Sequence, residues 1–240
     1  MAATRCIRTP FAGQNTWNRV VCPTSGLACL GAKKARGLGL PLNPNGILRG
    51  LRKGRNRYID VGVAEITAGA DTARRYFLNA ATGGLGPAVA RRVKSSKRLQ
   101  SFGKRAYSLA ALKEVFSARP YQVAWRTDAG ASGETLMLQL FINNGPSVAG
   151  GMRPSPNASF NNGELHIVMV GALGLMAVLN QFLRLESGRP FTHPDIHSFV
   201  CRSIDLEGPE LDVETDGEIA GGLPARLSVL PGALLVRMPA

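Results

Sequence analysis

Tyr121-Gln122-Val123-Ala124-Trp125-Arg126-Thr127-Asp128 places Tyr121, Val123, Trp125 and Thr127 on one parity and Gln122, Ala124, Arg126 and Asp128 on the other. A repeat of two is the side-chain period of a β-strand with one face in the core and one toward water. Working outward, residues 136–142, 164–170, 198–206, 211–215 and 226–236 read as further strands, the last interrupted at Pro231-Gly232, and residues 58–66 and 76–81 read as strands before it. Three helices are expected between them. One lies near residues 86–94, a second carries Phe102, Ala106, Leu109, Leu112 and Phe116 at helical spacing, and a third covers about residues 172–186. Many strands joined by turns, with few helices, imply an α+β, β-rich fold: a β-sandwich-like domain with inserted helices.

At 240 residues the chain can bury a real core, as one large domain or two small ones. A hydrophobic content of 45% with 28 glycines and 15 prolines reads as folded and rich in turns. The longest apolar run, residues 167–179, is shorter than the roughly 20 residues that a bilayer span needs. The N-terminus has no continuous apolar stretch, so no secretory signal is expected. Cys6, Cys22, Cys29 and Cys201 form no short CxxC pair, which argues against zinc and against a disulfide scaffold and suits a reducing compartment.

Charge is unevenly spread. Residues 1–59 hold eleven Lys and Arg and no acid, so most of the net +13 sits there. A second basic cluster runs through Arg91, Arg92, Lys94, Lys97, Arg98, Lys104 and Arg105, and eight acids gather between Asp195 and Glu218. A basic face is commonly a solvated surface; its functional readings are an anionic membrane surface, phosphate groups or nucleic acid. Few aromatics interleave with the basic residues and no nucleic-acid motif is present, which sets nucleic acid aside.

Three segments are expected. Residues 1–32 show no convincing periodicity and stay unassigned, open to reading as an Arg-rich targeting segment or as a non-native extension. Residues 33–56 hold a helical fragment ending at Gly37–Gly39 and a short amphipathic helix through Ile47, Leu48 and Leu51, after Asn43-Pro44. Residues 57–240 form the β-rich domain.

Short strings recur in a fixed order. They are Ala35-Arg36-Gly37-Leu38-Gly39-Leu40-Pro41, then Arg57-Tyr58-Ile59-Asp60-Val61-Gly62, then Arg75-Tyr76-Phe77-Leu78-Asn79-Ala80. Asn144-Gly145, Gly150-Gly151, Pro154 to Ala158 and Gly163 follow, and the chain closes with Thr215-Asp216-Gly217-Glu218, Pro224 and Val229-Leu230-Pro231-Gly232-Ala233-Leu234. This ordered set, spanning about residues 33–239, resembles the diacylglycerol kinase and sphingosine kinase-like lipid kinases. The resemblance implies a C-terminal lipid-binding half, residues 57–240, preceded at 33–56 by a remnant of an α/β nucleotide-binding domain. It also implies transfer of the ATP γ-phosphate to a lipid hydroxyl, with ATP and Mg²⁺ used by the complete enzyme and neither assigned to this chain alone. The family's G-G-D-G-T loop does not occur here, and where its G-T-G-N-D loop belongs the chain reads Cys29-Leu30-Gly31-Ala32-Lys33. A truncated kinase is therefore expected, cytoplasmic and peripherally membrane-associated, with a lipid alcohol and an anionic membrane surface as partners. The alternative is a non-catalytic lipid- or membrane-binding remnant.

Phosphoryl transfer to a hydroxyl needs a group that accepts its proton. The resemblance puts Glu218 of Asp216-Gly217-Glu218 in that role, while Asp-Gly by itself reads as a hairpin turn. Relatives carry an aspartate-glycine beside a structural Mg²⁺ where this chain has Asn162-Gly163; the amide lacks a charge, and no metal site is assigned. His193 and His197 are interrupted by Pro194 and lack an evident third ligand, Gly83-Gly84-Leu85-Gly86 reads as a tight strand-to-helix turn, and Cys201 reads as packing.

Overall fold

The computed structural model describes residues 20–21, 53–68, 71–88, 119–148, 151–209 and 211–238. Among them run strands β1 (Val20–Val21), β2 (Arg55–Ala68), β3 (Asp71–Phe77), β4 (Ala80–Gly84), β5 (Tyr121–Thr127), β6 (Ser132–Asn143) and β7 (Leu165–Gly171). Helix α1 (Leu175–Glu186) follows, then β8 (Ile196–Cys201), β9 (Ser203–Glu207), β10 (Asp212–Thr215) and β11 (Glu218–Met238). The expected β-rich, sandwich-like domain is present, but its layers belong to one continuous sheet. Pairing runs β10–β4–β6–β5–β9–β11, and β11 returns to β10, so the circuit closes. β7 and β8 extend it beside β6, β2 and β3 extend it beside β11, and β1 pairs parallel with β11.

Alternation decides which side chains enter the core. Val123 and Thr127 of β5 are buried, as the period of two requires, and Trp125 stacks on Phe199 of β8 with ring centroids 5.1 Å apart. Phe77, Met137, Ile142, Leu165, Ile204 and Leu227 are among the side chains fully enclosed between the layers. Gly62 is obligatory in β2, because a Cβ there would collide with the Phe77 ring. A second, smaller cluster lies on the outer face of β6 and β7, where Val178 of α1 packs on Leu138, Val170 and Leu173.

Two strands expected to be continuous are split, each by an aspartate reaching in from elsewhere. Residues 76–81 divide into β3 and β4 because the N–H groups of Leu78, Asn79 and Ala80 turn toward the carboxylate of Asp216. Residues 198–206 divide into β8 and β9 because the N–H groups of Arg202 and Ser203 both donate to Asp128 Oδ1, at 2.9 and 3.0 Å. β8 then continues on β7, while β9 crosses to β5 and β11. Conversely, Pro231-Gly232 does not interrupt β11: the strand bulges between Leu230 and Leu234 and keeps pairing with β2. Of the helices expected, α1 begins at Leu175 and residues 85–88 are helical. The remainder of the 86–94 helix, the 102–116 helix, the 43–51 helix, the basic cluster from Arg91 to Arg105 and nearly all of residues 1–56 lie outside the described residues. No helix among the described residues is long and apolar enough to cross a membrane.

Candidate functional site

Glu218 opens β11 at the tip of the β10–β11 hairpin, opposite Thr215, and is exposed. The two residues between are Asp216 at φ 50 and Gly217 at φ 95. Both are left-handed, which is the two-residue turn that Asp-Gly favours and that matches strand twist. Thr215 pairs on its other side with Ala81 of β4, so the hairpin tip carrying Glu218 lies beside the start of β4.

Asp216 does more than form the turn. Leu78 N–H donates to its Oδ2 at 2.8 Å, and Asn79 N–H and Ala80 N–H donate to its Oδ1 at 2.9 and 3.3 Å. Its own N–H donates to Ala80 O at 2.9 Å. A carboxylate taking three backbone donors makes charge-assisted bonds about twice as strong as neutral ones. The tip of the hairpin is thereby clamped to the β3–β4 bend.

That bend is tied in turn to a buried carboxylate. Asn144 Nδ2 donates to Leu78 O at 2.7 Å and to Asp60 O at 3.1 Å, while the N–H groups of Asn144 and Gly145 donate to Asn79 O. Asp60, 3% exposed on β2, accepts Gly163 N–H at 2.8 Å on Oδ2 and Gly232 N–H at 2.8 Å on Oδ1. One side chain therefore joins β2, the loop before β7 and the bulge of β11. Asp60, Asn144 and Gly232 fall inside the strings that carried the resemblance, yet the sequence reading gave none of them a role. The available signal was an acid set between Ile59 and Val61 in an apolar strand, where an ionised group requires donors.

Asn162 sits in the turn before β7. Its Oδ1 accepts Glu164 N–H at 3.3 Å and its Nδ2 meets His166 Nε2 at 3.0 Å. The amide is thus engaged within the chain and itself brings no carboxylate. Burial of the His166 ring lowers its pKa below the ordinary value, opposed by Glu164. Cys201 is buried and its thiol is pushed up to about 12 by burial, with Asp128 adding to the effect, which makes it a packing residue. His193 lies 3.7 Å from Asp195, and among the described residues no group of three or more His, Cys, Asp or Glu gathers as a metal site would need. Gly84, at φ 95, and Gly86, whose N–H donates to Gln139 Oε1 at 2.7 Å, form the expected tight turn out of β4.

Residues 79–238 match the YegS C-terminal NAD kinase beta sandwich-like domain. A probable lipid kinase YegS-like protein of Chromohalobacter salexigens is 29% identical over 221 residues, covering 90% of this chain and 68% of that protein. A diacylglycerol kinase of Mycobacterium tuberculosis is 26% identical over 210 residues, covering 87% of this chain and 66% of that protein. The crystal structure of a putative diacylglycerol kinase from Bacillus anthracis superposes with a TM-score of 0.63 at 22% identity, over 86% of this chain and 64% of that one, a likeness of fold. The chain spans about two thirds of the length of these relatives. Asn79, Asn144, Gly163, Asp216 and Gly232 all fall within the matched residues, and the chain belongs to the family of the YegS C-terminal NAD kinase beta sandwich-like domain.

Proposed function

We propose that this chain supplies the acceptor-lipid half of an ATP-dependent lipid kinase, with Glu218 as general base. The observation that carries the reading is an exposed carboxylate on a hairpin whose position is fixed by Asp216, in a chain whose relatives are named as lipid kinases. Glu218 takes the proton of the lipid hydroxyl as that oxygen bonds to the γ-phosphorus of ATP. The bond from that phosphorus to the bridging oxygen breaks, and ADP leaves with the electron pair. ATP is the second substrate, and the G-G-D-G-T string that cradles its phosphates in the family is absent from this sequence.

The test joins the whole chain behind the G-G-D-G-T-bearing half of a lipid kinase relative. Phosphate transfer from ATP is then measured, with Mg²⁺ present, to diacylglycerol, a sphingoid base, ceramide and phosphatidylglycerol in mixed micelles. The joined protein is expected to phosphorylate at least one of these lipids, while the 240-residue chain alone phosphorylates none. Failure with every lipid would leave the second reading, a non-catalytic lipid- or membrane-binding domain. On either reading the protein works at an anionic membrane surface, on its cytoplasmic side.

A further inference from the structure

We infer that Asn162-Gly163 is a self-modification site. The Gly163 nitrogen closes on the Asn162 side chain, ammonia leaves, and residue 162 becomes aspartate or isoaspartate. The inference stands apart from phosphoryl transfer and needs neither Glu218 nor Asp216.

Such a closure needs an open path to the amide carbon, a place for the attacking nitrogen's proton, and water to finish. Gly163 has no Cβ to crowd the attack. Its N–H donates to Asp60 Oδ2 at 2.8 Å, so a carboxylate oxygen stands where the proton goes as the new bond forms. Asn162 Oδ1 accepts Glu164 N–H at 3.3 Å, a donor placed where negative charge builds on that oxygen during attack. The same contact, from residue 162 to residue 164, folds the side chain back along the Gly163 peptide. Asn162 Nδ2 lies 3.0 Å from His166 Nε2, which fixes the orientation of the amide. Asn162 is exposed, so water reaches it.

In the first step the bond from Gly163 N to Asn162 Cγ forms and the Cγ–Nδ2 bond breaks. The proton that leaves Gly163 passes to Asp60 and on to solvent, and the departing NH₂ takes one up to leave as ammonia. A succinimide ring remains. In the second step water adds its OH to either ring carbonyl carbon and its hydrogen to the ring nitrogen. Opening at Cγ gives aspartate, and opening at the main-chain carbonyl gives isoaspartate. Water is consumed, ammonia is released, and no other reactant is needed.

The same dipeptide at Asn144-Gly145 lacks these conditions. Asn144 is 0% exposed and its Nδ2 donates to Leu78 O and Asp60 O. Gly145 N–H donates to the peptide oxygen of Asn79 rather than to a carboxylate. The fold therefore selects one Asn-Gly over the other. The choice has a structural consequence, because isoaspartate lengthens the backbone between residues 162 and 163. Gly163 N–H is then displaced from Asp60, whose other oxygen holds Gly232 N–H, and the loop before β7 comes loose from β2 and β11.

The test is incubation of the whole 240-residue chain in mildly alkaline buffer, then proteolysis and fragment mass spectrometry that reads each Asn-Gly separately. Labelling by an isoaspartate methyltransferase gives a second readout. In the folded chain Asn162 is expected to convert at least as fast as in the same chain unfolded in urea, whereas Asn144 converts only in urea. Asp60→Asn, which puts an amide where the carboxylate stood, should slow conversion at Asn162 about tenfold while circular dichroism shows the fold retained. Asn162→Gln, with its amide one carbon farther from the backbone, should remove the label from this loop alone. Slower conversion of Asn162 in the fold than in urea overturns the proposal, as does equal conversion of Asn144 and Asn162 in the fold. A folded Asp60→Asn that converts at the parent rate overturns it too. If Asp60→Asn does not fold, the parent's comparison between buffer and urea decides by itself.

Discussion

The backbone N–H of Asn79 donates to Asp216 Oδ1 at 2.9 Å across 137 residues of sequence. Because Leu78 and Ala80 donate to the same carboxylate, the position of the hairpin that presents Glu218 depends on a bend in a distant pair of strands. The Asp-Gly pair alone predicts a turn; the carboxylate converts that turn into a clamp.

Asp216→Asn separates the two roles. Asparagine tolerates the φ of 50 at this position, so the turn itself survives. The amide oxygen can still serve Asn79 and Ala80, but its NH₂ would face the N–H of Leu78, donor against donor. A loss of about 1–3 kcal/mol is expected in urea unfolding, with faster hydrogen exchange at Leu78, Asn79 and Ala80. Parent-like stability and exchange would reduce Asp216 to a turn residue.

Asp60→Ala should cost more than its exposed neighbours because it leaves the N–H groups of Gly163 and Gly232 without an acceptor at a 3% exposed position. About 2–4 kcal/mol of unfolding free energy is expected to be lost, with Asp60→Asn intermediate because one acceptor oxygen remains. Equal stability of the alanine variant and the parent, by denaturant titration, would mean the loops find other acceptors.

How much of this could be read from sequence follows from how local each signal is. β5 was legible because alternation from Tyr121 to Thr127 is a property of seven consecutive residues. The Asp216-Gly217 turn was legible for the same reason. The splitting of residues 76–81 and 198–206 was not, since each break is made by an aspartate, Asp216 or Asp128, that arrives through the tertiary fold. Nor was the closed circuit of strands, because the pairing of β10 with both β4 and β11 is a long-range choice. Glu218 is proposed from its motif alone, whereas Asp60 and Asn144, which hold the surrounding loops, lay in the same motifs without a chemical label.

His166 gives the domain a pH dependence with a definite sign. Its pKa in the fold lies below 6.5, chiefly through burial of the ring, and the neutral Nε2 is an acceptor facing Asn162 Nδ2 at 3.0 Å. Between the folded value and 6.5 the unfolded chain binds more protons, so stability is full above pH 6.5 and falls as pH drops through that window. Replacing His166 with Gln should flatten this slope in denaturation series, and NMR titration of the ring should give a midpoint under the usual histidine range. A ring titrating at or above 6.5 would contradict the assignment.

Glu218→Gln is the complement of Asp216→Asn. Glu218 is exposed at the first position of β11, and among the described residues no core side chain or backbone donor depends on it in the way the β3–β4 bend depends on Asp216. Surface substitutions of this kind stay within about 0.5 kcal/mol of the parent, so unfolding should be unchanged. In the joined protein, removal of a positioned proton acceptor should lower turnover by roughly 10²-fold or more, because one general base contributes about 10²–10⁴ in rate. Lipid affinity should hold nearly constant, since the amide keeps the volume and loses only the proton-accepting charge. The informative result is therefore the pair of measurements. Lost turnover with parent stability places Glu218 in the chemistry. Lost turnover with lost stability makes it another strut of the hairpin, and full turnover removes it from the mechanism.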